Sequence, residues 1–355
     1  MSAGGGRRRA GLVGTGLIGG SVGLALRRAG WHVTATDADA GSLEAALDLG
    51  VADRAGIDQG AEITFVAVPV GVAPEVARVA LSDGGVVTDV GSVKAPVVRA
   101  VDSPRFVGGH PMAGSEATGL DGAREDLFDG AVWVLTPVAA TESAAHALVH
   151  GVVRSLGADV VSLDPVDHDR LVAMVSHVPH LTAAALMGLA AERARADAAV
   201  LRLAAGGFRD MTRIAAGDPG IWLDICDDNR DAILAVLDDL LESLRDVRSL
   251  VASGDRTGLL ERLRDSQRAR RSLPVGAGVP DRLAEVRVAI PDRPGELSAV
   301  TTLATVLDVN VLDVEVAHEA GASRGLLILV VAADRADEFA DALRSSGRSA
   351  SVHPL

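Results

Sequence analysis

The first 163 residues alternate short apolar runs with segments of helical period. Six runs rich in Val, Ile and Leu have the length of buried strands: Ala10–Val13, His32–Thr36, Ile63–Val68, Val86–Val90, Phe106–Val107 and Val132–Leu135. Helical segments such as Gly19–Ala29 separate these runs. Continuous apolar strands that alternate with helices are typical of a parallel sheet covered on both faces. The pattern over residues 10–163 therefore predicts a Rossmann-type, doubly wound α/β domain.

The pattern changes near Asp164, because no strand pattern follows before Arg271. We therefore predict an all-helical domain over residues 164–272. Within it, apolar residues recur every three or four positions: Leu234, Leu237, Leu241, Leu244, Val247 and Val251. This spacing predicts one apolar face on a long helix. Such a face packs either inside the chain or against a second subunit, and the spacing favours neither.

A linker rich in Pro and Gly, predicted over residues 273–283, precedes a unit of about 72 residues at 284–355. Its pattern predicts four strands and two helices: strand Glu285–Ile290, helix Gly295–Leu307, strand Val309–Val316, strand Gly325–Val331, helix Asp334–Arg344 and strand Ala350–Val352. The order β-α-β-β-α-β is ferredoxin-like.

Composition excludes several classes of protein. The 355 residues carry a net charge of −14, so the chain lacks the basic footprint of a general nucleic-acid binder. The single cysteine, Cys226, excludes an internal disulfide framework, and no tetrahedral ligand set has the usual spacing, so we predict no metal. The uncharged run 10–26 contains too many glycines for a signal or membrane helix, and we identify no other run of about 18 apolar residues. We predict a cytoplasmic protein that spans no membrane.

A glycine loop follows the first predicted strand and opens a helix; it consists of Gly14, Thr15, Gly16, Leu17, Ile18 and Gly19. Its glycines allow a pyrophosphate to approach closely, and the helix N-terminus offers free N–H groups. Asp37 ends the next strand, where a carboxylate can accept hydrogen bonds from ribose hydroxyls. Since no Arg follows Asp37 to neutralise a 2′-phosphate, we predict NAD rather than NADP. The alternative is a glycine turn in an α/β fold that binds no nucleotide.

Two motifs follow later strands of the predicted sheet. Ser92 lies in DVGSVK and His110 in GGHPMAGSE, each placed by the pattern just beyond the carboxyl end of a strand. In an open α/β sheet this edge binds ligands, so both side chains can face one cleft. Histidine suits proton transfer near neutral pH, because its ordinary pKa is about 6.5. A structural role for His110 satisfies the same pattern.

The predicted helical domain contains two more polar clusters. The segment DHDR precedes SHVPH, in which His177 and His180 are three positions apart, on one helix face. Further along, GGFRDMTRIA contains Arg213, a forked donor that matches a carboxylate. An arginine paired only with Asp210 or Asp218 would equally satisfy this pattern.

Together these segments resemble the prephenate dehydrogenase family, with arogenate dehydrogenases as close relatives. The matching segments keep the family's order over roughly residues 10–270: GLVGTGLIGGSVGLAL, DVGSVK, GGHPMAGSEATG, DHDRLVAMVSHVPH and GGFRDMTRIAAGDPGIWLDI. The resemblance implies NAD-dependent oxidative decarboxylation of prephenate to 4-hydroxyphenylpyruvate, with arogenate as the alternative substrate. The residues from 284 onward resemble an ACT domain, with DRPGEL as its signature turn.

The resemblance also implies roles for individual residues. His110 matches the histidine that accepts the substrate's hydroxyl proton, and Ser92 matches the serine that orients it. Arg213 matches the arginine that binds the substrate carboxylate. Five more matches surround the substrate pocket: His177, His180, Glu116, Asp210 and Trp222. The helical domain dimerises in this family, which implies a homodimer.

For the C-terminal unit, the resemblance implies an effector, tyrosine or phenylalanine, bound near Asp292, Gly295 and Asn310. The alternative is a unit that only dimerises. Two other functions are weaker. A non-catalytic amino-acid sensor disagrees with the intact set of motif residues, and a general hydroxyacid dehydrogenase would use a lysine base and leaves HPMAGSE unexplained.

Overall fold

The computed structural model describes residues 7–114, 119–273, 283–291, 293–318 and 324–354. The predicted effector residue Asp292 and the predicted pocket residue Glu116 lie outside these ranges. The chain divides into two compact units, residues 1–254 and 255–355.

The first unit is built on an eight-stranded sheet. Its strands are β1 Arg9–Val13, β2 His32–Thr36, β3 Arg54–Ala55, β4 Ile63–Val66, β5 Val86–Asp89, β6 Phe106–Pro111, β7 Val132–Thr136 and β8 Asp159–Ser162. They lie side by side in the order β3-β2-β1-β4-β5-β6-β7-β8. The strand order reverses between β1 and β4, and ligands of open α/β sheets bind at the carboxyl ends of the strands beside such a reversal.

The prediction of a wholly parallel sheet is wrong at one pair, because β6 and β7 are antiparallel. A parallel return requires a crossover of a dozen or more residues, usually an α-helix. The described part of the β6–β7 connection contains only a 3₁₀ turn, Gly119–Gly122. Strands β3 and β8, which the pattern did not predict, extend the two edges of the sheet.

Eleven helices of the first unit follow in chain order: α1 Leu17–Arg28, α2 Ala40–Asp48, α3 Ala73–Ser82, α4 Ala95–Val101, α5 Ser143–Ser155, α6 Pro165–Val172, α7 Val178–Ala194, α8 Ala199–Arg202, α9 Gly206–Thr212, α10 Gly220–Asp228 and α11 Arg230–Ser253. A five-residue π turn, Ala173–His177, joins α6 to α7. Residues 164–254 contain no strand, as the sequence predicts.

Helix α11 is the predicted long helix, and Leu237 of the predicted apolar face packs against the buried core, but most of that face does not. The buried residues of α11 are Ile233 and Val236. The predicted face includes four side chains that are 48–62% exposed: Leu234, Leu241, Leu244 and Val251. Intrachain packing therefore does not account for these four residues, and a surface of apolar side chains remains uncovered in the single chain.

One helical stretch, Pro165–Ala194, is long and apolar enough to span a membrane by length and composition alone. The expectation that no such run exists is therefore wrong for this stretch. The π turn joins two helices into one continuous segment and so lengthens it. However, His168, Asp169 and His177 on this segment are buried within the folded chain. These polar side chains belong to the cleft region described below.

The second unit contains helix α12 Arg256–Arg271 and a four-stranded antiparallel sheet with two helices. These elements are β9 Leu283–Pro291, α13 Glu296–Val306, β10 Val311–His318, β11 Arg324–Ala332, α14 Ala333–Ser345 and β12 Ser349–Pro354. The strand order is β10-β11-β9-β12, and the chain order β-α-β-β-α-β is the predicted one. Val286, Leu327 and Phe339 lie in its buried core.

Candidate active site

The glycine loop lies between β1 and α1, next to the end of β4. Gly14 has φ +92°, and a Cβ on it would lie 2.2 Å from the Ala67 carbonyl oxygen. A Cβ on Gly19 would lie 2.1 Å from the Gly14 carbonyl oxygen. Only glycine fits at either position, and the loop therefore keeps its backbone open at the N-terminus of α1. This geometry fits the close approach of a phosphate group.

Asp37, just past the end of β2, is held against this loop. Its Oδ2 accepts hydrogen bonds of 2.7 Å from both the backbone N and the Oγ1 of Thr15, and its Oδ1 accepts one of 2.9 Å from Asp39 N. Burial alone would raise the pKa of Asp37, but the hydrogen bonds from Asp39 and Thr15 outweigh it and lower the pKa. The carboxylate is therefore charged and held beside the glycine loop.

A cleft of about 610 Å³ opens at the carboxyl ends of the central strands. The glycine loop forms one wall, and the segments that follow β4 and β5 form another. The π turn and helix α10 close the opposite side. Eight of the residues lining the cleft were predicted from the sequence: Gly16, Leu17, Ile18, Gly19, Ser92, His110, His177 and Trp222. Tertiary structure thus brings Ser92 and His110 to one cavity with the glycine loop.

His110 lies inside strand β6 rather than beyond it, because β6 continues to Pro111. Its pairing with β7, in the register His110–Val134, extends the strand past the predicted end. The side chain is only 9% exposed. Burial lowers the pKa of His110 well below 6.5, and the positive charges that His168, Lys94 and His177 can carry lower it further. The imidazole is therefore neutral at pH 7 and can accept a proton.

Behind His110, a second histidine and a carboxylate form a buried chain of hydrogen bonds. The His110 Nδ1 lies 2.9 Å from the His168 Nε2, and the His168 Nδ1 lies 2.8 Å from the Asp169 Oδ1. The two imidazole rings are nearly perpendicular, at 76°. His168 is fully buried and Asp169 is 5% exposed.

The Asp169 carboxylate joins helix α6 to the start of helix α4. Its Oδ1 accepts a hydrogen bond of 2.7 Å from Lys94 N, and its Oδ2 accepts one of 2.8 Å from Ala95 N. The Asp169 carbonyl oxygen accepts a further hydrogen bond of 2.8 Å from Asn229 Nδ2. The carboxylate is therefore held in place by groups from the sheet domain.

A buried ion pair, Lys94 with Asp89, ties together the backbone next to Ser92 and the backbone next to His110. Both side chains are fully buried. Asp89 accepts hydrogen bonds from Gly91 N at 2.9 Å and Gly109 N at 3.1 Å, and Lys94 Nζ donates to the Gly109 carbonyl oxygen at 2.9 Å. Burial lowers the pKa of Lys94, and Asp89 opposes this shift.

His177 and His180 both contact the indole of Trp222. The His180 ring stacks on it with centroids 3.6 Å apart, and the His177 ring meets it at 85°. His177 lies in the π turn, where its Nδ1 is 3.1 Å from Asn229 Nδ2. Its buried Nε2 has no hydrogen-bond partner among the residues that the structure describes. Burial lowers the pKa of His177 to about 4. At neutral pH, the cleft therefore has a second uncharged imidazole.

Three predicted pocket residues in the described ranges, His180, Arg213 and Asp210, are not among those that line the cleft in the single chain. Arg213 lies in the 3₁₀ turn that follows α9, and Asp210 lies in α9 itself. Both are exposed. The neighbouring apolar side chain Met211 is 64% exposed, so this segment forms an uncovered surface.

Sequence reasoning missed the residues that support His110 and Ser92. The missed residues are Asp89, Lys94, His168, Asp169 and Asn229. Four of them lie in the motifs DVGSVK and DHDR, so the signal was present, but the contacts that join the two motifs and His110 to His168 span 58 to 75 residues. Over the described ranges, no group of three or more His, Cys, Asp or Glu side chains could hold a metal ion.

Family models match most of the first unit and extend into the second. A model described as "Prephenate dehydrogenase, nucleotide-binding domain" matches residues 22–162. A second, described as "Prephenate dehydrogenase, dimerization domain", matches residues 164–265. The chain is 32% identical over 334 residues to a prephenate dehydrogenase of Bacillus subtilis, an alignment covering 89% of this chain and 90% of the relative. It is 32% identical over 277 residues to a cyclohexadienyl dehydrogenase of Zymomonas mobilis, covering 74% and 94% of the two chains.

Solved structures give the same result. A crystal structure of prephenate dehydrogenase from A. aeolicus in complex with hydroxyphenyl propionate and NAD⁺ superposes with a TM-score of 0.71 at 30% identity, covering 77% of this chain and 100% of that one. A Synechocystis arogenate dehydrogenase superposes with a TM-score of 0.64 at 32% identity, covering 74% and 99%. The chain belongs to the prephenate dehydrogenase family.

Proposed function

We propose that this protein catalyses the NAD-dependent oxidative decarboxylation of prephenate to 4-hydroxyphenylpyruvate. One observation carries the proposal most directly: a neutral, buried imidazole, His110, lines the same cleft as a glycine loop that leaves room for a pyrophosphate. Family membership supplies the reaction class, since the relatives named above are prephenate, cyclohexadienyl and arogenate dehydrogenases.

NAD, when bound, supplies a nicotinamide that accepts the hydride from ring C4 of the substrate. The residues that would hold it are the glycine loop, from Gly14 to Gly19, and Asp37. The Asp37 carboxylate is charged and can accept hydrogen bonds from ribose hydroxyls, whereas it would repel a 2′-phosphate. Its fixed position beside Thr15 supports the choice of NAD over NADP.

His110 would accept the proton of the C4 hydroxyl as the hydride leaves. The ring carboxylate departs as CO₂, and the electrons of its C–C bond move through the ring to the C4 oxygen. The ring becomes aromatic, and the C4 oxygen takes a proton back to form the phenol. General-base assistance by a positioned side chain contributes roughly 10² to 10⁴ in rate. Ser92, in the same cleft, would orient the substrate hydroxyl and the imidazole.

Substrate carboxylates would be bound by Arg213, with His180, His177, Trp222, Glu116 and Asp210 around them. Arg213 and Asp210 lie on an exposed segment of the single chain. We propose that a second subunit covers this segment and completes the pocket. Support comes from the family description of residues 164–265 as a dimerisation domain and from the exposed apolar face of α11. A mass in solution of about 36 kDa, that of one chain, would contradict the homodimer.

Steady-state assays with two substrates and two cofactors test the proposed function. We expect NADH to form with prephenate and NAD, and we expect NADP to be a much poorer cofactor because it places a phosphate beside Asp37. Arogenate, which has an amine in place of the side-chain keto group, is the alternative substrate. Absence of NADH with both prephenate and arogenate, from a folded enzyme, would overturn the proposal.

We further propose that the chain acts as three parts: a nucleotide-binding domain at 10–163, a helical domain at 164–272 and, after a linker at 273–283, an ACT domain at 284–355. The β-α-β-β-α-β order and the strand order β10-β11-β9-β12 support the last part. Gly295, with φ +94°, is the N-cap of helix α13, and Asn310 is exposed just before β10. An amino-acid effector, tyrosine or phenylalanine, would bind near these two residues and Asp292. The cytoplasmic location stays a prediction.

Inhibition by tyrosine tests the role of this C-terminal part. We expect tyrosine to inhibit the full chain more strongly than a version that ends near Pro280, because the effector site would be removed. Phenylalanine serves as the second effector in the same comparison. Identical inhibition of the two proteins would exclude the C-terminal part as the sensor.

A further inference from the structure

His168 lies behind His110 and makes no contact with the cleft. Its side chain is fully buried, and it is absent from the residues that line the cavity. Both of its ring nitrogens are occupied: Nδ1 by the Asp169 carboxylate at 2.8 Å and Nε2 by the His110 Nδ1 at 2.9 Å. His168 therefore cannot touch substrate, and its contacts point to an effect exerted through His110.

The positions of the hydrogens in the series Asp169, His168 and His110 follow from which ring nitrogens and oxygens can donate and which can accept. An ionised carboxylate only accepts hydrogen bonds, so the His168 Nδ1 must carry a hydrogen. In a neutral imidazole the other nitrogen then carries none, and the His168 Nε2 is an acceptor. The His110 Nδ1 must therefore be the donor in the contact between the two rings. The hydrogen of a neutral His110 is thus on Nδ1, and its Nε2 carries none.

We infer that His168 is a positioning residue that fixes the tautomer of His110 and so leaves the His110 Nε2 as the nitrogen that takes the substrate's proton. The inference rests on the proposed function only in taking the substrate's hydroxyl group as the source of that proton. Without an acceptor at the His168 Nε2, the His110 hydrogen is free to move to its own Nε2. In that tautomer Nε2 would be a donor and could not act as a base, while Nδ1 points toward His168.

The rest of the network keeps this acceptor in place. Backbone N–H groups of Lys94 and Ala95 bind the two oxygens of Asp169, so the carboxylate cannot rotate away from His168. Asn229 binds the Asp169 carbonyl oxygen at 2.8 Å. The orientation of the His168 ring is therefore determined by the start of α4 and, through the Asp169 backbone, by Asn229, the residue that precedes α11.

Variants of His168 test the inference through the division between kcat and KM. His168→Leu removes the acceptor, and we expect kcat to fall about 100-fold, the low end of the contribution of a general base. KM for prephenate and for NAD should stay within about threefold, since His168 does not contact the cleft. His168→Gln can accept through Oε1 from the His110 Nδ1, and it should keep at least about ten times the kcat of His168→Leu. His150→Leu, a half-buried histidine on α5 outside the cleft, is the control and should keep full activity.

A spectroscopic measurement tests the same inference without turnover. Nitrogen-15 NMR of the histidine-labelled full chain reports which ring nitrogen carries hydrogen. We expect the His110 signals of the free enzyme to show hydrogen on Nδ1, and we expect His168→Leu to shift the population toward hydrogen on Nε2. His110→Asn identifies the signals by their loss. If prephenate is not oxidised but the Nδ1 tautomer is seen, the proposed function fails and the positioning role stands.

Two results would overturn the inference. One is hydrogen on the Nε2 of His110 in the unaltered protein. The other is a folded His168→Leu variant with unchanged kcat. Should His168→Leu fail to fold, the tautomer in the unaltered protein and the kcat of His168→Gln decide the question.

Discussion

Replacing His110 by Asn should lower kcat by about 1,000-fold while KM for prephenate and for NAD changes by a few fold at most. The physical reason is that Asn keeps a polar group of similar size at the end of β6 but has no basic nitrogen to take the hydroxyl proton. His110 is also buried and neutral, so its loss removes a base rather than a charge that attracts the substrate. Steady-state kinetics with both substrates varied gives the two constants separately.

Arg213→Ala is the matched comparison for this experiment. A charge-assisted hydrogen bond to a carboxylate contributes about 1.5–3 kcal/mol, which corresponds to roughly a 10- to 100-fold increase in KM for prephenate. Its kcat should change less than that of His110→Asn. A His110→Asn enzyme with full turnover would remove His110 from the role of base, and an unchanged KM in Arg213→Ala would mean that the carboxylate is bound elsewhere.

Replacing Lys94 by Met should destabilise the first unit by about 3–5 kcal/mol, because it leaves the carboxylate of Asp89 buried without its positive partner. For a domain of this size, we expect the midpoint of thermal unfolding to fall by about 10 °C. The expected loss is large because both side chains of the pair are fully buried. Differential scanning calorimetry of the full chain measures the change in the midpoint at which the first unit unfolds.

Two variants accompany this measurement. The double variant Asp89→Asn with Lys94→Met removes both charges and should recover a large part of the stability, since no unpaired charge remains. Arg170→Met breaks an exposed pair with Asp167, whose side chains are 68% and 58% exposed, and should change stability by less than about 1 kcal/mol. If Lys94→Met lowers the midpoint no more than Arg170→Met does, the buried pair is not a stabilising element.

The same ion pair explains why the two motif residues share one cleft. Asp89 binds the backbone N–H groups of Gly91 and Gly109, which immediately precede Ser92 and His110. Each residue could be assigned to the end of a strand from the apolar pattern, and the parallel strands β5 and β6 place their carboxyl ends at one edge. The hydrogen bonds by which Asp89 joins the two segments could not be predicted, since they depend on how closely β5 and β6 pack.

Errors in the predicted fold have similar causes. The apolar run at Phe106–Val107 was too short to predict that β6 reaches His110 and Pro111, because the glycines and polar residues that follow have no strand pattern. Pairing with β7 stabilises the longer strand. On α11, the spacing identified an apolar face, but only packing determined that Ile233 and Val236 point inward while Leu241 and Leu244 remain exposed.

The local pattern of residues was sufficient to predict the α/β class, the change to helices near Asp164 and the glycine loop. It was also sufficient to place Ser92 and His110 near one edge of the sheet. These features depend on neighbours within a few residues, such as a strand followed by glycines and a helix. The partners of His110 required three-dimensional packing, since 58 residues separate it from His168 and 75 separate Lys94 from Asp169. Hydrogen bonds over such separations leave no periodic trace along a chain, because only folding determines which distant side chains meet.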